Sequence, residues 1–139
     1  MQQEALIQAI VGARGQLDFI WQVFLSAQVA VFAFLLIYEE EMEKMNFLGR
    51  LLALIGIGAF DWINASALID TYGLLDALHH QYRVSFGQLN GLSPLFVDRF
   101  VNASYETGPR MVAFTHTLAF TFVLLSFVLR NMIRRDRTG

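Results

Sequence analysis

The chain has 139 residues, of which 55% are hydrophobic and 16% charged, with a mean hydropathy of +0.47 and a formal net charge of −2. A chain this apolar is not disordered, its length allows one domain, and its charge leaves no electrostatic footprint for nucleic acid. It has no cysteine, which excludes a disulfide scaffold, a thiolate metal site, a Cys nucleophile and a Cys-ligated iron–sulfur cluster.

Three apolar runs dominate. Phe19–Tyr38 carries no charge, Leu51–Ile69 carries only Asp61, and Met111–Leu129 carries only His116. About 20 apolar residues in a helix cross a ~30 Å hydrocarbon layer. A soluble helix is apolar along one stripe, whereas Val29–Leu36 is apolar on every side. The expected fold is therefore an all-α integral membrane protein, a single membrane domain over 1–139 with transmembrane helices at about 17–39, 48–70 and 110–131. The first run starts too late and is too long for a cleavable signal peptide.

The turn Glu39–Asn46 has no helix breaker, so the first helix is expected to project beyond the membrane before the chain reverses. Segment 71–109 is too polar to span. In it, Leu74, Leu75, Leu78 and Tyr82 fall on one helical face and Asp76, His79, His80 and Arg83 on the other. This predicts an amphipathic extension of the second helix or a separate interfacial helix. Asn90-Gly91 signals a turn, and Ser93-Pro94 opens a short helix with Ser93 as N-cap. The basic tail 130–139 carries Arg130, Arg134, Arg135 and Arg137 and is expected in the cytoplasm. Three crossings then place the N-terminus outside, with Lys44, Arg50 and the tail inside against Arg14, Arg83, Arg99 and Arg110 outside. Tyr38 and Tyr72 fall at the expected interfaces, and Trp62 is expected to pack between helices. The lack of Cys and the compact loops lean toward a bacterial inner membrane.

An Asp at the centre of a membrane helix costs roughly 2.5–3.5 kcal/mol on insertion scales, so polar residues inside the runs are the place to look for function. Asp61 lies about 15 Å deep at ~1.5 Å per residue. Asn64 is level with His116, and the same depths on the first helix fall near Gln28 and Ser26. The row Asp18, Gln22, Ser26 and Ala30 on the first helix is polar or small throughout. The expected polar network is Asp61, Asn64, His116, Gln22 and Ser26, with Asp61 either ionised against His116 or neutral. The same residues also serve as interhelical glue. Gly56, Gly58, Ala59, Ala113 and Ala119 permit close helix approach. Asp76, His79 and His80 have spacing that a metal can use, but a solvated helix face with an Asp76–His80 pair accounts for it better.

Asp61 is the only acid within the apolar runs, and no phosphate loop or intramembrane Lys occurs, so an enzyme is not expected, and no cofactor is required. Three helices leave few faces to cover a polar layer, which predicts a homo-oligomer or partner membrane subunits around it, packed as a helical bundle in the lipid bilayer. The leading expectation is a channel- or transporter-like oligomer passing protons or small cations along that layer. The alternative is a non-catalytic accessory or scaffold subunit of a larger membrane complex. A third reading is a redox subunit holding haem or quinone through His116 or His79 and His80.

Overall fold

The computed structural model describes residues 2–87, 91 and 93–138, and for residues 39, 43 and 129–138 it describes the backbone alone. Every regular element among the described residues is helical: α1 (Gln3–Ile37), α2 (Glu39–Lys44), α3 (Phe47–Phe86), the single turn α4 (Pro94–Phe96), a π-helical turn (Val97–Val101) and α5 (Gly108–Thr138). Three of these, α1, α3 and α5, are long and apolar enough to cross a membrane.

The helices outrun the apolar segments. With 35 and 40 residues, α1 and α3 are about 52 and 60 Å long at ~1.5 Å per residue. α1 starts at Gln3 rather than near 17 because no proline interrupts Gln3–Asp18 and its inward stripe, Leu6, Ile10, Ala13 and Leu17, is already buried. α3 runs on to Phe86, so of the two forms expected for the segment after 70 the continuous extension is the one present.

The face assignment in that extension is corrected. His79 lies on the buried stripe with Leu75 and Tyr82, while Leu74 is exposed. Buried positions on α3 recur as Asp61, Leu68, Leu75 and Tyr82, with Asn64 and Thr71 between them. This is a heptad spacing, as in coiled-coil seams, and His79 sits beside it, facing inward.

The inward stripes are narrow. Within the most apolar window of each long helix only 17%, 17% and 22% of residues are buried, so most of the apolar surface points away from the protein. Soluble coiled coils keep the seam apolar and the outside polar; here Gln28, Asp61, Asn64 and His116 are inside while Phe19, Leu36, Ile63 and Phe114 are outside. That inversion fits lipid as the surrounding medium. Trp62, expected between helices, is 76% exposed. Successive helical residues point about 100° apart, and Asp61 takes the inward direction.

The chain forms two compact units. The first joins Met1–Trp21 to Ser66–Val112. Its core includes Leu6, Ile10, Leu17, Leu68, Leu75 and the fully buried Tyr82. The Tyr82 ring packs edge-on against Phe100 at 5.4 Å, and its hydroxyl accepts a 3.0 Å bond from Gln3 Nε2. Ser93 stands as N-cap with Pro94 behind it, as expected, although its side chain makes no capping bond. Gly91 has a φ of 94°, a left-handed conformation that suits the expected turn; its partner Asn90 lies outside the described residues.

The second unit joins Gln22–Ala65 to Ala113–Gly139. Leu35, Met42, Val123 and Phe127 form its core, flanked by Phe32, Leu54 and Ile57. The acidic segment does not simply prolong α1. The chain breaks at Tyr38, and α2 turns Met42 back into this core. Arg50 Nη2 donates to Met42 O at 3.2 Å, and Asn46 caps α3 by accepting from Gly49 N–H at 2.8 Å. Gly58 faces the Phe120 ring closely enough that an added Cβ would stand 3.2 Å from it, whereas Gly56 faces open space. α5 continues through Thr138, but the side chains of the basic tail lie outside the described residues.

Candidate functional site

The polar side chains of the second unit converge where α1, α3 and α5 meet. Gln28 on α1 donates from Nε2 to Asp61 Oδ1 on α3 at 2.8 Å. His116 on α5 bonds through Nε2 to Asn64 Oδ1 on α3 at 3.0 Å. An amide oxygen only accepts, so Nε2 carries the proton in this arrangement. Thr115 Oγ1 lies 3.4 Å from Nδ1. The imidazole stacks on Phe24 of α1, with centroids 3.9 Å apart and planes 24° from parallel. Phe24 thus closes one face of the ring while Asn64 fixes its in-plane direction.

Gln28, Asp61, Asn64 and His116 are all buried, at 5%, 5%, 7% and 6% exposure. His116 is close enough to act electrostatically on Asp61. Two buried oxygens of the Gln28–Asp61 pair, Gln28 Oε1 and Asp61 Oδ2, have no hydrogen-bond partner. Each unmet polar atom of this kind costs roughly 1–3 kcal/mol. The site therefore keeps hydrogen-bonding capacity in reserve, which an added proton on Asp61 or a small polar guest can use.

Of the expected network, Asp61, Asn64 and His116 come together. Gln22 and Ser26 do not join them; both are exposed, as are Asp18 and Ala30 of the same row. At about 100° per residue that row lies on the opposite side of α1 from its buried residues Leu17, Phe24, Gln28 and Leu35, which step by seven, four and seven. Gln28, at the expected depth on α1 but outside the expected network, takes the place given to Gln22 and Ser26. Its spacing of seven from Leu35 was the available signal.

Asp76, His79 and His80 also separate. His80 is exposed, and Asp76 Oδ1 accepts from Tyr105 N–H at 3.5 Å. His79 is fully buried between Phe100 and Tyr105, with ring centroids 5.2 and 5.3 Å away. The Phe100 backbone lies within electrostatic reach of His79, but neither ring nitrogen makes a contact of hydrogen-bond geometry. Among the described residues no group of three His, Asp or Glu side chains is placed to hold a metal.

Comparison with protein-family models, curated proteins and solved structures finds no match to this chain.

Proposed function

We propose that this is a small multi-pass membrane protein whose buried Asp61–His116 cluster handles protons, in a channel- or transporter-like oligomer of the bacterial inner membrane. The observation that carries the reading is the placement of one carboxyl and one imidazole together inside the three-helix core, at 5% and 6% exposure. Ionisable groups are expensive at membrane depth, and where they occur they commonly mark ion or proton pathways. Imidazole is the side chain whose ordinary pKa lies closest to neutrality. Protons suit the site better than hydrated cations, because its polar atoms are enclosed by packed side chains. The orientation follows the Arg distribution, with the tail in the cytoplasm and the N-terminus outside. Segment 71–109 is then extramembrane or interfacial, and protomers associate through their exposed apolar faces.

A second reading is a non-catalytic accessory subunit of a larger membrane complex. Its support is that both central hydrogen bonds tie different helices together, α1 to α3 and α3 to α5, as structural fasteners do. The redox reading has less support. His116 has contacts at both ring nitrogens, leaving neither aimed at an iron.

Purified protein in liposomes loaded with a pH-sensitive dye separates the first two. Proton handling predicts flux driven by a pH gradient that falls at least about tenfold in Asp61→Asn and in His116→Gln while the oligomer is retained. Flux equal to that of empty liposomes, with a stoichiometric partner recovered from native membranes, refutes proton handling and favours the accessory role.

A further inference from the structure

The first unit contains a pocket of about 390 Å³ that takes no part in the Asp61–His116 cluster. That volume is within the ~300–1,000 Å³ range of small-ligand sites. Arg14 and Asp18, one helical turn apart on α1, both line it, together with Tyr72 of α3 and Tyr105, Thr107 and Gly108 around the start of α5. Opposite charges at i, i+4 ordinarily pair with each other. Here, among the described residues, Arg14 and Asp18 form no ion pair. The pocket thus presents a separate cation and a separate anion to the same space.

The aromatic wall is held in place. Trp21 Nε1 donates to the Tyr72 hydroxyl at 3.1 Å. The Tyr72 ring also lies so close to the Gly108 Cα that no Cβ fits there, because it would run into Cδ1. The Tyr72 and Tyr105 rings are 6.2 Å apart and tilted by 42°, so a cation can stand within ~6 Å of both centroids. Asp18 and these two rings suit an ammonium group. Arg14 suits a phosphate, and Thr107 lines the same pocket.

We infer that the pocket bounded by Arg14, Asp18, Tyr72 and Tyr105 binds a zwitterion of the alkylammonium-phosphate type, as found in phospholipid headgroups. Asp18 directly precedes the uncharged run beginning at Phe19 and Arg14 lies one turn before it, where headgroups would meet the hydrocarbon. The same chemistry also occurs in free glycerophosphodiesters. The inference is independent of the Asp61–His116 reading, and only the headgroup source depends on the protein being in a membrane.

The test uses full-length protein in maltoside micelles, titrated with glycerophosphocholine, inorganic phosphate or tetramethylammonium. Trp21 fluorescence is followed in a Trp62→Phe background, since Trp21 bonds directly to the pocket wall. Saturable binding of glycerophosphocholine is expected, at least about tenfold tighter than either ion alone. It should weaken about tenfold or more in Arg14→Gln and in Asp18→Asn, as loss of one charge-assisted contact implies. Both residues are exposed, and unchanged circular dichroism verifies that the variants fold. Native mass spectrometry with a zwitterionic phospholipid then distinguishes the sources. Retention of lipid by the parent but not by the variants identifies a headgroup, and retention of glycerophosphocholine alone identifies a free zwitterion. The inference is overturned if phosphate binds as tightly as glycerophosphocholine, if the variants bind unchanged, or if no saturable binding is seen.

Discussion

The Gln28–Asp61 bond makes a sharp prediction about energetics. Replacing Gln28 by Leu removes the donor at 2.8 Å and leaves Asp61 with no bond at either oxygen, since Oδ2 already lacks one. Replacing Asp61 by Leu strands the Gln28 amide instead, at 5% exposure. An orphaned buried polar group costs roughly 1–3 kcal/mol, while interhelical bonds in one measured membrane protein average about 0.6 kcal/mol with a maximum near 1.7. Each single variant should therefore lose about 2 kcal/mol. The double variant Gln28→Leu/Asp61→Leu leaves no orphan in the pair and should be less destabilised than either single change. Asp61→Asn keeps an acceptor for Gln28 and should cost less than about 1 kcal/mol. The assay is unfolding of the micellar protein by titration with sodium dodecyl sulfate, followed by far-ultraviolet circular dichroism. If the two single effects instead add to within ~0.5 kcal/mol, as for uncoupled sites, the pair is not bonded as described.

Other substitutions probe the two units separately. Gly108→Ala drives a methyl into the Tyr72 ring and should cost about 1–3 kcal/mol as overpacking, with a shift in Trp21 emission; an unchanged melting midpoint and spectrum would refute the close contact. Gly56→Ala and Gly58→Ala form a matched pair. Both gain helix propensity of about 0.5–1 kcal/mol, but only Gly58→Ala meets Phe120, so thermal melts should rank Gly56→Ala the more stable. Tyr82→Phe removes the 3.0 Å bond from Gln3 while keeping the buried ring. It should lose about 0.5–1.5 kcal/mol, and Tyr82→Ala about 3–5 kcal/mol, by the same unfolding titration. Phe24→Leu removes the ring stacked on His116 and should shift and broaden the imidazole resonances in a ¹⁵N-histidine spectrum; unaltered resonances would show that the stacking does not hold the ring.

Length, composition and runs of apolar residues were enough to determine that the protein is all-helical and has three helices able to cross a membrane, because these properties depend on local chain chemistry and on the cost of unpaired backbone groups in lipid. They also picked out Asp61, Asn64 and His116, since a polar residue among apolar neighbours is conspicuous wherever it points. Which way each residue points was decided only by tertiary packing. Phe24 and Gln28, rather than Gln22 and Ser26, complete the cluster because they share the buried stripe of α1 with Leu17 and Leu35, whereas Gln22 and Ser26 lie about 160° around the helix on its opposite side. The break at Tyr38, the inward His79 and the outward Trp62 are decided in the same way. Neighbouring helices compete for one narrow stripe on each rod, and that competition is not encoded in any single segment.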